Sequence, residues 1–460
     1  MAPTSSTRRT FDVFVIGGGG TGSEVAFRLA EQGLKVGVAE RDRLGGVCNH
    51  AGCVPTKAML RSAKMAAMAR SAEPFGVRIP TVEVDLTEVR RRVRSVIDAQ
   101  SGSGADPFEA AGITVLMDEA RLVGPNELEL ASGERIHADR IVLALGSVPE
   151  IPPITGLEGS PFWTSRAAIW EPAEVPGSLA IVGAGAIGIE FAQIYARFGS
   201  RVTVLEAAPQ LLPGEDEDVP WALRPALRAD GIELRTGVEV RRVDHADGTF
   251  RLEIGGARDL EVDELLVATG RRVDLDGHDL DAAGVERDDR GELVLDETLR
   301  TTSPHIWAAG DATGELMFTH VGDYEADIVA EDILGRPQRR DYRVVPRVTF
   351  TDPEVASVGL TEDAARRSGA DVTTSVVRIA DNERARIDGV PYGIVKLIQD
   401  TSSRELLGGH IVADGAGSMI HEIVAAMSGR LPASRLEDSI HAYPTLASSV
   451  RDAAAALDGS

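Results

Sequence analysis

Cys48 and Cys53, the two cysteines of this 460-residue chain, lie five positions apart in the segment 45–57. Residues at i and i+5 lie about 7.5 Å apart along an ideal helix axis, whereas a disulfide prefers Cα separations of about 4.4–6.8 Å. A disulfide here therefore needs a local distortion, which Gly52 and Pro55 would favour. A helix beginning at this point would also lower the pKa of a thiol at its N-terminus. The spacing predicts a redox-active thiol pair.

Two alternative roles for the cysteines stay open at this point. They could be buried structural residues, or they could be half of a metal site. A zinc site needs four ligands, and His50 is the one further ligand type nearby in sequence. We therefore favour redox chemistry and predict no resident metal.

Two segments of the sequence repeat one pattern of a β-branched strand, a glycine-rich turn, a helix and a second strand that ends in an acid. The acid follows the last glycine by 18 residues in both copies. The first glycine allows a tight turn, the second admits a pyrophosphate, and the third lets the helix pack on the strand. Two generic glycine-rich turns are the alternative, but two matching contexts favour two dinucleotide sites. The first copy is Gly17, Gly19, Gly22 and Glu40, and the second is Gly183, Gly185, Gly188 and Glu206.

These repeats predict an α/β protein with two Rossmann-like dinucleotide-binding domains, followed by a C-terminal α+β domain. A mostly helical insertion is expected from roughly Ala58 to Gln100. Three further strands are predicted to end at glycines, namely Gly146, Gly270 and Gly310. The expected segments are 1–149 and 273–340 for the first dinucleotide domain, 150–272 for the second and 341–460 for an interface domain.

Composition narrows the classes of function. The formal net charge of −24 disfavours nucleic acid and anionic lipid surfaces as partners. No apolar run approaches the ~18 residues that a membrane span requires, and residues 1–10 form a polar tail rather than a signal peptide. Two cysteines are too few for a disulfide framework. We expect a cytoplasmic protein.

The segment Gly45-Gly-Val-Cys-Asn-His-Ala-Gly-Cys-Val-Pro-Thr-Lys57 resembles the signature of the class I pyridine nucleotide-disulfide oxidoreductases. That family includes dihydrolipoyl dehydrogenase, glutathione reductase and mercuric reductase, and the resemblance covers essentially the whole chain. It implies that Cys53 is the charge-transfer thiolate beside FAD and that Cys48 is the interchange thiol. Lys57 would lie near the reactive edge of the flavin ring and Glu190 would pair with it beside the nicotinamide.

The resemblance also implies which residues hold the cofactors. Asp311 would bind the ribityl chain of FAD, and Glu40 would bind its adenosine. Glu206 would accept ribose hydroxyls and repel a 2′-phosphate, which favours NAD(H) over NADP(H). The expected FAD-binding set is Gly17, Gly19, Gly22, Glu40, Gly46, Lys57, Gly146, Gly310 and Asp311. The expected NAD-binding set is Gly183, Gly185, Gly188, Glu206 and Gly270.

The C-terminus departs from the dihydrolipoyl dehydrogenase pattern, in which a histidine and a later glutamate from the partner subunit move protons at the interchange thiol. Tyr443 and Ser448 occupy these two positions. His441, two residues earlier, points to the same side as Tyr443 if the segment is extended. It is either a relocated base or an ordinary interface histidine. A tyrosine at the position of Tyr443 resembles the pattern of mercuric reductases, although no cysteine follows Cys53 in this chain.

Three functions are consistent with this sequence. The first is an NADH-linked, FAD-dependent homodimer, joined through residues 341–460, that exchanges electrons with a small dithiol or disulfide. The second is a mercuric-reductase-like enzyme that reduces a soft metal ion, a quinone or another non-thiol acceptor. The third is a non-catalytic dinucleotide-binding protein with a vestigial site, which the intact Cys48, Cys53, Lys57 and Glu190 disfavour.

Overall fold

The computed structural model describes residues 9–100 and 104–458, so most of the predicted N-terminal tail lies outside the described residues. The chain divides into two compact units. The first comprises Met1–Pro55, Arg92–Glu150 and Arg271–Asp341. The second comprises Thr56–Arg91, Ile151–Gly270 and Tyr342–Ser460. The finer division into the four predicted segments stays a prediction.

The first unit is built on a parallel sheet. Val13 and Val15 enter one apolar cluster, whereas Phe14 and Ile16 enter another on the opposite face. This alternation is expected of a strand covered on both sides. The parallel strands, in spatial order, are Thr114–Leu116, Val36–Ala39, Arg9–Ile16, Arg135–Leu143 and Ile306–Ala308.

Antiparallel strands and helices complete this unit. Glu127–Leu130 joins Arg135–Leu143 and then pairs with Ala120–Gly124. Ser147–Pro149 pairs with Arg271–Val273. The helices are Gly20–Glu31, Gly46–Ala51, Asp106–Ala110 and Thr319–Ile333, with short 3₁₀ turns at Leu280–Ala283 and Gly310–Thr313.

The insertion that the sequence predicted to be mostly helical consists of two helices. Cys53–Arg70 and Leu86–Ala99 are helical, with only the 3₁₀ turn Glu73–Phe75 between them. Pro74, Gly76 and Pro80 fall in this interval, and proline removes the N–H that a helix interior needs.

The second unit contains its own parallel sheet. Its strands, in spatial order, are Glu233–Thr236, Arg201–Glu206, Ser178–Val182 and Glu264–Val267. A three-stranded antiparallel sheet consists of Glu239–Ala246, Thr249–Gly255 and Leu260–Val262. The helices of this part are Ser165–Trp170, Ala186–Phe198 and Asp218–Ala229.

The C-terminal part of the second unit is a five-stranded antiparallel sheet covered by helices. Its strands, in spatial order, are Pro346–Thr349, Glu354–Gly359, Leu406–Ala413, Ile394–Asp400 and Val372–Arg378. Its helices are Glu362–Arg367, Glu383–Asp388, Ala416–Ser428, Ser434–Glu437 and Ser448–Asp458, with a 3₁₀ turn at Ile379–Asp381. Among residues 9–100 and 104–458, no helix is long and apolar enough to cross a membrane.

Lys396 is a buried cation in this five-stranded sheet, with 1% of its surface exposed. Its ammonium contacts Asp216 at 2.8 Å, Asp218 at 2.7 Å and Glu362 at 2.8 Å. Burial alone would lower the pKa of Lys396, but hydrogen bonds to these carboxylates raise it. Burial likewise opposes ionisation of Asp216, yet the hydrogen bond from Lys396 keeps the pKa of Asp216 below its usual range. Lys396 is therefore the cation that directly compensates the buried carboxylate of Asp216.

We expect Lys396→Met to lower the free energy of unfolding by about 3–5 kcal/mol, because it leaves the buried carboxylate of Asp216 without its cation. In the native protein the depressed pKa of Asp216 stabilises the fold above about pH 4, and this stabilisation is lost as the pH falls through the folded-state pKa. Urea unfolding measures both effects. Lys35→Met is the control, at an exposed lysine whose ammonium lies 5.1 Å from the Phe11 ring centroid, and it should change stability by at most about 1 kcal/mol. Equal stability of the two variants would contradict the expectation.

Candidate active site

The first glycine-rich turn leaves no room for side chains at its first and third glycines. Gly17 has φ of +105°, and a Cβ there would lie 2.1 Å from the carbonyl oxygen of Ala144. A Cβ on Gly22 would lie 2.0 Å from the carbonyl oxygen of Gly17. Gly19, which caps helix Gly20–Glu31, has open space instead, with the nearest atom 3.9 Å from its added Cβ. The turn thus combines tight packing with an open central position.

The second turn repeats this geometry. An added Cβ would lie 2.3 Å from the carbonyl oxygen of Ala268 at Gly183, and 2.0 Å from the carbonyl oxygen of Gly183 at Gly188. Gly185 caps helix Ala186–Phe198, and nothing lies within 4 Å of its added Cβ. The open position at a helix N-terminus fits the pyrophosphate of a dinucleotide.

Each turn is tied to the acid at the end of the next strand. Glu40 accepts a hydrogen bond of 2.8 Å from the backbone N–H of Gly18. It accepts another, of 2.7 Å, from the backbone N–H of the residue two positions after Glu40 itself. Glu206 accepts a hydrogen bond of 2.7 Å from the backbone N–H of Ala184. It accepts another, of 2.8 Å, from the backbone N–H of the residue two positions after Glu206 itself. These hydrogen bonds hold each carboxylate beside its glycine-rich turn, where the ribose of a dinucleotide would lie.

The two cysteines lie on either side of a helix break. Cys48 is in the short helix Gly46–Ala51, and Cys53 is the first residue of helix Cys53–Arg70. Gly52 between them has φ of −137° and ψ of −114°, which is outside the helical region. The distortion predicted at this glycine is therefore present. Both cysteines are thiols in the structure.

Both sulfurs lie against the hydroxyl of Thr319, the first residue of helix Thr319–Ile333. Its Oγ1 donates to Cys48 Sγ at 3.3 Å and lies 3.7 Å from Cys53 Sγ. Sequence reasoning missed Thr319, because it is 271 positions from Cys48 and no spacing rule connects them.

A second group of residues missed by the sequence surrounds Asp311. Its carboxylate accepts a hydrogen bond from the hydroxyl of Ser147, which in turn accepts one of 2.8 Å from Arg271 Nε. Burial lowers the pKa of Arg271, while the charges of Asp311 and Cys53 raise it. Arg271 thus places a positive charge within electrostatic reach of the Cys53 sulfur, where it favours a thiolate.

The predicted glycines at the strand ends adopt conformations that other residues rarely adopt. Gly146 has φ of +72°, Gly270 of +139° and Gly310 of +72°. Gly46, with φ of +61°, approaches the first turn so closely that an added Cβ would lie 2.9 Å from Gly19 Cα. Positive φ therefore accounts for glycine at all four positions, and close backbone approach adds to it at Gly46, while their cofactor contacts stay predictions.

In the second unit the structure brings Lys57 and Glu190 together. Lys57 Nζ lies 3.1 Å from Oε1 and 2.9 Å from Oε2 of Glu190, which is 3% exposed. Phe350 donates its backbone N–H to Glu190 at 2.8 Å, and its ring lies 4.7 Å from the Lys57 ammonium. A buried carboxylate needs such partners to remain charged.

The side chains of Tyr443 and His441, two positions apart in the C-terminal segment, lie in different surroundings. No strand covers this segment, so the condition for a shared side is not met. Tyr443 is 76% exposed, whereas the His441 side chain is 7% exposed. His441 contacts Glu422 through Nε2 at 2.8 Å and the carbonyl oxygen of Ser439 through Nδ1 at 3.0 Å. Both ring nitrogens of His441 are therefore engaged within its own chain.

Ser448, the residue at the position where the dihydrolipoyl dehydrogenase pattern would place a glutamate, begins helix Ser448–Asp458. Its Oγ accepts a hydrogen bond of 3.0 Å from Asn382 Nδ2.

Within the part of the chain that the structure describes, no group of three or more His, Cys, Asp and Glu side chains is placed to hold a metal ion.

Two dinucleotide turns and a thiol pair define a class of flavin- and pyridine-nucleotide-dependent oxidoreductases acting on sulfur groups, and comparison with known families agrees. Residues 11–326 match the pyridine nucleotide-disulphide oxidoreductase model, and residues 345–454 match the dimerisation domain of the same proteins. The chain belongs to this family. The predicted family and α/β fold class are confirmed.

Its relatives carry more than one activity. A dihydrolipoyl dehydrogenase of Chlorobaculum tepidum is 38% identical, over 99% of this chain and 98% of the relative. A mercuric reductase of Staphylococcus aureus is 33% identical, over 97% of this chain and 82% of the relative. The HOCl-induced flavoprotein disulfide reductase RclA of Escherichia coli superposes with a TM-score of 0.87 at 30% identity, covering 96% of this chain and 99% of that one.

Family membership establishes the cofactor class and the broad reaction. These enzymes use FAD and NAD(P)H, so the predicted cofactors are confirmed at that level. The open, helix-capping positions at Gly19 and Gly185 fit two such dinucleotides. The match of residues 345–454 to the dimerisation domain supports the predicted homodimer.

Proposed function

We propose that this protein is an NADH-dependent disulfide oxidoreductase that passes electrons through Cys48 and Cys53 to a small dithiol or disulfide substrate. The observation that carries the proposal is the convergence of both cysteine sulfurs on one hydroxyl, 3.3 and 3.7 Å away. Their shared surroundings support a reactive pair over two unrelated structural cysteines. A reducing cytoplasm is the compartment that suits such a dithiol.

The reaction assigns a task to each group of residues. Bound FAD would supply the two-electron chemistry that links NADH to the sulfur pair. The Lys57–Glu190 pair orients the nicotinamide. Two electrons and one proton convert the Cys48–Cys53 disulfide into one thiol and one thiolate. The Cys48 thiolate then attacks a substrate disulfide, forms a mixed disulfide and releases one substrate thiol, and Cys53 closes the enzyme disulfide as the second thiol leaves.

An acceptor other than a disulfide is the second candidate. An exposed Tyr443 and a serine at position 448 leave the dithiol without the usual imidazole–carboxylate base. Mercuric reductases are among the relatives, and RclA was solved as a Cu(II) complex. A soft metal ion or a quinone would accept electrons without that base.

Anaerobic titration with NADH followed by a panel of acceptors tests both candidates. The first candidate predicts fastest turnover with a small disulfide. The second predicts fastest turnover with a metal ion or quinone. A protein that binds FAD and NADH but passes electrons to none of these acceptors would refute both and support the non-catalytic alternative.

We expect a yellow protein that binds one FAD per chain and prefers NADH. Glu206→Arg should shift the preference toward NADPH, because a guanidinium attracts the 2′-phosphate that the carboxylate repels. Steady-state kcat/KM values with the two nucleotides measure the shift. Ala207→Ser, at a neighbouring residue, is the control. A wild-type protein that already prefers NADPH would contradict the assignment of Glu206.

We also expect a homodimer formed through residues 341–460, in which the Tyr443 region of one chain reaches the site of the other. The dimerisation-domain match and the 76% exposure of Tyr443 support this arrangement. Light scattering at micromolar concentration checks the mass, and a monomer would contradict the prediction.

A further inference from the structure

Thr319 is the residue that both reactive sulfurs share, and the mechanism above gives it no task. Its Oγ1 lies 3.3 Å from Cys48 Sγ, to which it donates, and 3.7 Å from Cys53 Sγ. A hydroxyl has one donor hydrogen and two acceptor lone pairs. It can therefore accept a hydrogen bond from one thiol while donating to the other sulfur.

Thr319 is an exposed residue at the start of helix Thr319–Ile333. Its β-branched side chain has a restricted choice of χ1 rotamers. In the rotamer that the structure shows, the hydroxyl lies within reach of both sulfurs, whichever of them carries the proton.

We propose that Thr319 is a catalytic residue that relays the proton between Cys53 and Cys48 in the reduced enzyme. This inference rests on the proposed redox role of the cysteine pair. In the relay, the Cys53 thiol gives its proton to Oγ1 as the Thr319 hydroxyl gives its own proton to the Cys48 thiolate. The products are a Cys53 thiolate, an unchanged threonine and a Cys48 thiol, so protons and charge balance. The reverse transfer regenerates the Cys48 thiolate for attack on a substrate.

The residue types at the positions expected to supply a base explain why an internal relay matters here. His441 has both ring nitrogens engaged within its own chain. Tyr443 offers a phenol, which is a poorer general base near neutral pH than an imidazole. Arg271, which interacts electrostatically with Cys53, favours the thiolate but cannot accept a proton. A threonine hydroxyl needs no change of its own charge to move a proton.

Thr319→Val tests the relay, because it removes the hydroxyl and keeps the shape of the side chain. The variant is made in the FAD-loaded protein in two backgrounds, Cys53→Ser and Cys48→Ser, which each retain one thiol. The rate of alkylation by iodoacetamide against pH gives the pH midpoint of that thiol, since the thiolate is the reacting form. In both backgrounds we expect Thr319→Val to raise the midpoint by about one pH unit, which slows alkylation about tenfold below the midpoint.

Two further variants make this experiment decisive. Thr319→Ser keeps a hydroxyl and should restore both midpoints. Thr373→Val makes the same chemical change at an exposed hydroxyl that contacts Thr401 at 3.1 Å, and should shift neither. A shift in one background alone would show that the hydroxyl serves a single sulfur, and that result overturns the relay. Unchanged midpoints in both backgrounds overturn it as well.

Failure of the proposed function looks different in the same samples. The Cys48→Ser protein should show a long-wavelength absorption from the Cys53 thiolate beside oxidised FAD. If this absorption is absent at every pH while the thiol still alkylates, the redox role of Cys53 fails, whatever the midpoints show for Thr319.

Discussion

Cys48→Ser is expected to lower NADH-dependent disulfide reduction by more than about 10³-fold, because it removes the nucleophile that meets the substrate. The same variant should display the long-wavelength absorption without added NADH, since Cys53 no longer has a sulfur partner. Cys53→Ser should lose the absorption as well as the activity. Spectra of the two variants before and after one equivalent of NADH, together with turnover, measure these effects.

The two cysteine variants serve as controls for one another. In both, NADH should still bleach the flavin, because that half-reaction uses the nicotinamide site rather than the dithiol. If Cys48→Ser leaves every acceptor activity intact, the cysteine pair is structural. The chain would then be a simple NADH:acceptor flavoprotein.

Tyr443→His combined with Ser448→Glu is expected to raise dithiol turnover by about 10²–10⁴-fold, the usual value of a well-placed general base. An imidazole, with a pKa of about 6.5, suits neutral pH far better than a phenol. Position 448 suits a glutamate because it opens a helix, where a negative charge is stabilised. Asn382, which donates to Ser448 Oγ at 3.0 Å, could also donate to the new carboxylate.

The gain should be specific to thiol chemistry. Quinone or metal reduction should change little, because these acceptors need no imidazole base. Each single variant should gain much less than the pair, since the histidine requires the glutamate to orient it. A wild-type protein that already turns over dihydrolipoamide near about 10² s⁻¹, as a good enzyme does, would show that Tyr443 is no handicap.

The sequence by itself determined the features that depend on a few neighbouring residues. The turns at Gly17 and Gly183 could be predicted because positive φ and close backbone approach admit only glycine there. The acids Glu40 and Glu206 follow at a spacing that one helix and one strand impose. The break at Gly52 follows from the geometry of cysteines five positions apart. Each of these features follows from the backbone conformation of a few neighbouring residues.

Only the tertiary structure decided which distant residues complete the site. Thr319 reaches both sulfurs from 271 and 266 positions away, and Arg271 reaches Ser147 across 124 positions. Hydroxyls and guanidinium groups are common on any surface, so their residue types carry no signal until the sheet topology brings them together. The sequence left His441 open as a relocated base, whereas folding turned its ring toward Glu422. Such contacts depend on how the whole chain packs, because side chains far apart in sequence meet only through the fold.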